Sequence, residues 1–503
     1  MLQISRDDID ARLALDNPWW EAGTAEGLPT ANLPKRIYFE GFQRLALNFK
    51  VRRAAILLGP RRVGKTVMVR QLAAQALNEG MPGENILYAS IDTPLYSNLP
   101  LSFFVDAVPP AARGEQCLIM FDEIQYLRDW QVHLKDLVDA YPNVRFVASG
   151  SAAAALKLRS QESGAGRFSD FILPPLTFSE YVDFSGNGSL VTPPSREGLF
   201  HECEDMPTLN KLFINYLNFG GYPEAVFNEE VRNNPDRFIR SDIVEKVLLN
   251  DLPSLYGINN IQELKKLFMF LAYNAGHEAN YEGISQESGI SKSIVKKYIE
   301  YLENAFLVIK LPTVNDTCRS MQRERNFKVY LSNPSMRAAL FSAAKAEDTT
   351  LIGHLAESAV FSQWQHSLSF SNLRYARWRG GEVDVVYLEN GRQKPLWAGE
   401  IKWSDSVGSK PEIELKNMRY LLSKQPKLKN LFFTSKSIAR NDLMIDGISV
   451  PVIPTALYCC TVGQNAAKNA SLLKMINFGD HVDDEEFESN DEFEPDLFER
   501  HSD

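Results

Sequence analysis

RRAAILLGPRRVGKT, residues 52–66, decides the fold. A short apolar run, Ala54 to Leu58, ends at a glycine, and Gly59 to Thr66 then fits the spacing G-x-x-x-x-G-K-[ST]. A helix-period segment, TVMVRQLAAQALNEG, follows at once. The spacing has a chemical purpose. Glycines let consecutive backbone N–H groups curl around phosphate oxygens, and the helix N-terminus adds a favourable dipole. The stretch Gly59, Pro60, Arg61, Arg62, Val63, Gly64, Lys65, Thr66 and Val67 therefore reads as a nucleotide-phosphate loop. Lys65 is expected to reach the β- and γ-phosphates of ATP, and Thr66 to put its hydroxyl on Mg²⁺.

Downstream, ENILYASID, EQCLIMFDE and NVRFVASG are further short apolar runs separated by helical or loop stretches, in a unit that closes near Asp183. Such alternation predicts a parallel sheet covered on both faces. CLIMFDE ends in two carboxylates. Asp122 suits Mg²⁺, mostly through water, and Glu123 suits polarising the attacking water, so hydrolysis is expected rather than binding alone. RFVASGS brings Ser149 and Ser151 to a strand end, where either is placed to sense the γ-phosphate. Arg167, just before an apolar strand, reads either as a surface arginine or as an arginine finger given to a neighbouring copy in a homo-oligomer.

Composition sets the wider frame. The 503 residues predict two to four domains, and 44% hydrophobic with 23% charged residues excludes collagen-like, coiled-coil and wholly disordered chains. No window approaches 18 consecutive apolar residues and the N-terminus lacks a continuous apolar core, so neither a membrane span nor a secretory signal is expected. Five scattered cysteines, with no CxxC pair, fit free thiols in a reducing cytoplasm. The net charge of −10 belongs to residues 480–503, which carry 12 acidic side chains against Arg500 alone. The body is neutral. The tail reads as disordered and solubilising, or as a dock for a protein partner through Phe487, Phe493 and Phe498, or as a DNA mimic.

A second constellation lies near the C-terminus. Glu357 falls on a helical stretch, Asp384 within GGEVDVVYL, and Glu400-Ile401-Lys402 at the end of PLWAGEIKW. Residues i and i+2 of a strand share a face, so Glu400 and Lys402 project together while Ile401 enters the core. A hairpin joining the two strands sets Asp384 beside Glu400. Carboxylates plus a lysine are what Mg²⁺- or Mn²⁺-dependent phosphodiester cleavage needs, with Glu357, Asp384 and Glu400 as ligands and Lys402 beside the nucleophile. Arg374, Arg377 and Arg379 precede Asp384 and suit a phosphate backbone, as they suit a solvated strand face. Between the constellations, residues 261–312 give a helix, a turn at Gly289, an amphipathic helix and a β-branched run, the order of a winged helix-turn-helix. Lys292, Ser293, Lys296 and Lys297 would then face a DNA groove, or the helix would simply pack.

Gly59–Thr66, FDEIQ, ASGS, the AGRF…PL.F.EY block and Gly220-Gly221-Tyr222-Pro223-Glu224 together resemble a prokaryotic family of AAA-type ATPases. That family joins an ATPase module to a winged-helix region and a C-terminal domain of unknown function. The E…D…ExK order resembles the PD-(D/E)xK nuclease fold. The resemblance implies an α/β architecture: a P-loop AAA-type parallel sheet, a helical lid and winged helix, and a restriction-endonuclease-like α/β domain. Its divisions are a lead-in segment (1–45), whose Trp19–Trp20 pair reads as a packing anchor or as a stacking platform, the ATPase (46–185), the lid (186–260), the winged-helix region (261–345), the nuclease-like domain (346–462) and the tail (463–503). In AAA proteins a Gly-x-Pro near the lid approaches the base and an arginine there often senses nucleotide; here Glu224 follows Pro223, so no such arginine is carried over. The expected activity is ATP hydrolysis coupled to cleavage or processing of nucleic acid, most simply DNA, in defence or repair. Two other classes compete: a nucleotide-switched binding or signalling module with a non-catalytic nuclease-like fold, and a winged-helix DNA-binding regulator.

Overall fold

The structure is a computed structural model that describes residues 5–96, 99–151, 166–194, 200–319, 326–365, 371–389, 394–409 and 411–476, with side chains to residue 465. The acidic residues from 480 on lie outside these, whereas the first residues of the expected tail continue a helix, Thr455–Ile476. The chain divides into two compact units, one built on Met1–Pro174 and the other on Pro175–Asn469.

The first unit is a five-stranded parallel sheet: β1 (Ala54–Leu58), β2 (Ile86–Ser90), β3 (Cys117–Asp122), β4 (Val144–Gly150) and β5 (Phe168–Ile172), in the order β2-β3-β4-β1-β5. Every residue of β1, β3 and β4 is buried, as expected of strands covered on both faces. The order places β4 between the strand that feeds the phosphate loop and the strand that ends in Asp122, so all three carboxyl ends converge.

The lead-in is more regular than its composition implies. Residues Arg6–Asp16 form a helix opened by a Ser5–Asp8 capping box. Asn17 then behaves as a one-residue strand against the edge strand β2, donating to Tyr88 O at 2.9 Å and accepting from Tyr88 N at 2.6 Å. The indoles of Trp19 and Trp20 both donate to Ile86 O, at 3.0 and 2.8 Å. An edge strand has spare backbone groups, and the lead-in satisfies them.

Arg145, at the start of the central strand β4 and only 3% exposed, ties down the segment that leads into β1. Its guanidinium donates to Leu45 O (2.9 Å), Ala46 O (3.0 Å), Arg53 O (2.5 Å) and Val51 O, the first two at the C-terminus of helix Phe39–Ala46. A cation there meets orphan carbonyls and the negative end of the helix. Burial pushes its pKa down to about 10, so it remains charged near neutrality. Arg145→Met leaves those carbonyls buried without donors, and at about 1–3 kcal/mol for an unsatisfied group the expected loss is roughly 3 kcal/mol. Urea unfolding followed on the first unit's transition checks this; a loss under about 1 kcal/mol would show that water replaces the guanidinium.

The second unit is organised by one nine-stranded sheet, ordered β13-β14-β12-β11-β10-β9-β7-β8-β6. Its strands are β6 (Glu278–Ala279), β7 (Val308–Val314), β8 (Phe327–Leu331), β9 (Leu373–Trp378), β10 (Gly381–Leu388), β11 (Pro395–Glu400), β12 (Asn430–Ser435), β13 (Arg440–Ile445) and β14 (Ile448–Pro454). Helices Ile261–Tyr273, Tyr281–Ser288 and Lys292–Asn304 precede the β7–β8 antiparallel pair, and Gly289, at φ +74°, turns the chain between the last two. A two-residue parallel contact, Thr313 with Tyr375 and Val314 with Ala376, joins β7 to β9. One core cluster takes Tyr330, Tyr375, Trp397 and Phe432 from the sheet with Ile352, Ala359 and Phe361 of helix Thr349–Trp364. A second takes Val383, Val386, Ala398 and Phe433 with Met418 and Leu421 of helix Lys416–Lys424.

The Gly220-Gly221 pair of the GGYPE block belongs to this packing. A Cβ on Gly221 would sit 2.2 Å from the Asn333 amide oxygen, and one on Gly220 would sit 2.3 Å from the Tyr216 ring. Both positions exclude a side chain.

Candidate functional site

The first site grows from the loop after β1. Gly59 must lack a side chain, because a Cβ there would lie 2.1 Å from Leu173 O at the end of β5. Arg62 and Gly64 both take left-handed backbone, at φ +64° and +96°, which curls the loop before helix Lys65–Asn78 begins. Lys65 is buried, its ammonium 2.7 Å from Pro60 O and 3.1 Å from Gly59 O. Thr66 Oγ1 donates to Asp122 Oδ2 at 2.7 Å. A hydroxyl and a carboxylate at that separation, on the carboxyl side of a parallel sheet, are hard oxygen donors of the kind Mg²⁺ takes.

Two further groups hold the carboxylate. Tyr88, on β2, donates to Asp122 Oδ2 at 2.8 Å, and Ser149 donates to Asp122 Oδ1. Burial, then the Asp122 charge, pushes the Tyr88 hydroxyl well up, so it stays a donor. The Arg70 guanidinium lies 4.7 Å over the Tyr88 ring. Glu123 follows in a left-handed conformation (φ +53°), with its N–H donated to Ser149 Oγ at 3.2 Å and its carboxylate taking the Gln125 amide. Gln125 also accepts from Ser151 N at 3.2 Å, tying Glu123 to the end of β4.

Of the two serine sensors, Ser149 is fully buried and committed to Asp122, because β4 lies beside β3 in register Phe121 with Ala148. Ser151 Oγ is buried and has no partner among the described residues. Arg167 stands at the other end of the sheet from the phosphate loop: its carbonyl accepts from Ala54 N, at the start of β1, and its side chain pairs with Asp139 at 2.5 Å. Tyr88, Arg70 and Gln125 were not singled out by sequence reading. Tyr88 carried a faint signal, a hydroxyl inside an otherwise apolar strand.

The second site lies in the second unit. Lys402 Nζ bridges Asp384 Oδ2 at 3.1 Å and Glu400 Oε2 at 2.9 Å, and Ile401 N donates to Asp384 Oδ2 at 2.8 Å. Ile401 turns into the core, as strand periodicity predicts. Asp384 sits in a β-bulge: Val383 pairs with Ala376 but Val386 with Arg374, so β10 carries one extra residue there. Bulges re-aim side chains, and this one lets Val383 and Val386 join one core cluster while Val385 and Tyr387 join the other.

Glu357, on helix Thr349–Trp364, is held by β8 rather than by the lysine of the E-I-K motif. Tyr330 OH donates to Glu357 Oε1 at 2.6 Å and Lys328 Nζ lies 3.3 Å from the same oxygen. Neither β8 residue was expected at the site. A lysine and a tyrosine two residues apart inside the strand FKVYL were the available signal.

Burial sets the charge states. It pushes Glu400 well above the carboxylate range, with the neighbouring Asp384 charge adding to the effect. Burial also acts upward on Asp384, but Lys402 and then Lys328 outweigh it and leave that carboxyl below its ordinary value. Burial pushes Glu357 up against the opposing pull of Lys328. For the Lys402 and Lys328 ammoniums burial acts downward, and their carboxylates more than reverse it. Glu400 Oε1 is buried with no hydrogen-bond donor among the described residues, and the Glu400 carboxyl lies close enough to Asp384 to share a proton with it, a pair of oxygens that a cation could bridge in the proton's place. Among the described residues no three acidic, histidine or cysteine side chains stand together as a metal-binding cluster. The donor set fits a cation held by two carboxylates.

Comparison with known proteins finds a family match over most of the first unit. Residues 51–182 match the model of an AAA domain, and residues 210–347 that of a domain of unknown function (DUF8612). An uncharacterized protein of Haemophilus influenzae is 28% identical over 264 residues, covering 51% of this chain and 61% of its own. One from Methanocaldococcus jannaschii is 24% identical over 329 residues, covering 61% of this chain and 66% of its own. The chain thus spans about two thirds or less of the curated relatives it matches. Among solved structures, the replication initiator DnaA bound to AMPPCP and single-stranded DNA aligns at a TM-score of 0.27 and 14% identity, over 56% of this chain and 92% of that one. Pif1 helicase from Candida albicans aligns at 0.22 and 9%, over 36% and 55%. No described helix is long and apolar enough to cross a membrane. The segment matched at residues 51–182 thus has the all-parallel sheet and the phosphate loop of an AAA-type, ATPase-like domain.

Proposed function

We propose that this protein binds and hydrolyses ATP in its first unit and cleaves phosphodiester bonds of nucleic acid, DNA in the simplest case, in its second. The observation that carries the ATPase is the Thr66–Asp122 contact at 2.7 Å beside the buried Lys65. Lys65 draws the β- and γ-phosphate oxygens onto the loop amides, and Glu123 takes the proton of the attacking water while Gln125 keeps its carboxylate oriented. Thr66 and, through water, Asp122 would hold Mg²⁺, which would supply positive charge against the phosphate oxygens.

The cleavage reading is supported by the Asp384–Lys402–Glu400 bridge and the Glu400 oxygen that lacks a donor among the described residues. Asp384 and Glu400 would hold a divalent cation, Mg²⁺ or Mn²⁺, whose charge eases attack on phosphate. Lys402 orients the nucleophile and stabilises charge on the phosphoryl oxygens. Helix Lys292–Asn304 presents exposed Lys296 and Lys297, which suit duplex phosphates in a winged-helix manner.

A second reading has one observation in its favour. The described residues contain no three-ligand metal cluster, as a docking fold switched by nucleotide would allow. The deciding experiment incubates the full chain with supercoiled, linear and single-stranded DNA and with RNA, in Mg²⁺ or Mn²⁺, with ATP, ADP or no nucleotide. Cleavage lost in Lys402→Ala and altered in Lys65→Ala supports the ATP-controlled nuclease. ATP turnover with every substrate intact transfers the conclusion to the switch.

A further inference from the structure

The second site holds more charge than cleavage of a phosphodiester requires. Lys328 is 4% exposed, yet its ammonium lies 3.3 Å from Glu357 Oε1, 3.4 Å from Glu382 Oε1 and 5.4 Å from the Tyr375 ring centre. Tyr330, one period further along β8, spends its hydroxyl on the same Glu357 oxygen. Glu357 is therefore gripped from β8 by a cation and a phenol. A cation arriving at the centre would compete with both donors for Glu357 Oε1 and sit beside an ammonium that strand packing holds in place. Glu400 differs, because its Oε1 meets no hydrogen-bond donor among the described residues.

We propose that Lys328 is a positioning residue that withholds Glu357 from the metal, so that Asp384 and Glu400 alone hold the cation and tight binding waits for a substrate phosphate to complete the ligand set. The assignment rests on the reading of this centre as a divalent-cation site. It revises the three-carboxylate set expected from sequence, keeping Glu357 as an anchor for Lys328. Divalent cations bound by one or two carboxylates commonly take substrate phosphates as further ligands. Metal loading and substrate binding then become one event.

The test is Mn²⁺ binding to the full chain without nucleotide, followed by the paramagnetic resonance of free Mn²⁺, beside a thermal melt of each variant. Asp384→Asn is the reference that identifies the site, with binding lost. Glu357→Gln is expected to stay within about twofold of wild type. Lys328→Met, which frees a carboxylate and removes a repelling charge, is expected to bind about tenfold tighter. The double variant Lys328→Met with Glu357→Gln, a neutral pair of similar shape, is expected to return to the wild-type affinity, and it keeps the test decisive if Lys328→Met alone unfolds. Thymidine 5′-monophosphate is expected to tighten wild-type Mn²⁺ binding about fivefold or more.

Loss of binding in Glu357→Gln as complete as in Asp384→Asn overturns the assignment. So does a gain in Lys328→Met that survives in the double variant, or indifference to the nucleotide monophosphate. A wild type that binds no Mn²⁺, or whose binding ignores Asp384→Asn, overturns the metal reading itself and the assignment with it.

Discussion

Glu123→Gln is expected to slow ATP turnover by roughly 10²–10⁴-fold while nucleotide binding persists, the range for loss of a positioned general base. The substitution keeps the shape of the side chain and its hydrogen bond with the Gln125 amide, so the left-handed turn at φ +53° and the Asp122 network stay in place. What it removes is the proton acceptor. Lys65→Ala is the contrasting variant: it deletes the cation that sits on the loop carbonyls, so binding and turnover should fall together. Binding is read by fluorescent-nucleotide titration and turnover by phosphate release. Wild-type turnover in Glu123→Gln would remove Glu123 from the base role and turn attention to Gln125 and Ser151 at the same strand ends.

In the second unit Asp384→Asn carries the largest expected effect, loss of divalent-dependent strand cleavage by about 10³-fold or more. A cation contributes several kcal/mol of charge stabilisation to a phosphoryl transition state, and about 1.4 kcal/mol is a factor of ten. Asparagine still offers an oxygen to the Ile401 N–H, and Lys402 keeps Glu400 as a partner at 2.9 Å, so the hairpin should hold. ATP turnover measured on the same preparation should match wild type. Cleavage that survives the change would place the chemistry elsewhere; cleavage and ATP turnover lost together would mean that the chain had misfolded.

The two sites differ in how much of them could be read from sequence. The phosphate loop is local: its geometry is fixed by a few consecutive residues, and Gly59, Gly64, Lys65 and Thr66 stand where the spacing puts them. Asp122 and Glu123 were legible because a strand end is legible. Asp384, Glu400 and Lys402 followed from strand periodicity and a hairpin, although no pattern announced the bulge that carries Asp384. Lys328 and Tyr330 were hidden, since they reach the site through the β7–β9 contact between strands some 60 residues apart in sequence. Sequence placed Ser149 correctly at a strand end but not its hydroxyl, which the neighbouring strand claims. For Arg167, strand position alone left out direction: it begins β5, and the nucleotide loop lies where the parallel strands finish.

The two-residue pairing of Thr313 and Val314 with Tyr375 and Ala376 has a consequence for heredity. A chain cut near residue 345 would separate β7 and β8 from β9 and leave that strand as a bare sheet edge, open to pairing with other chains. The same cut would strand Glu357 without Lys328 and Tyr330. Recombination that shuffles the C-terminal α/β half without the preceding helices and hairpin would therefore yield sticky, incomplete offspring. A stable fragment carrying this sheet is thus expected to need at least residues 261–454.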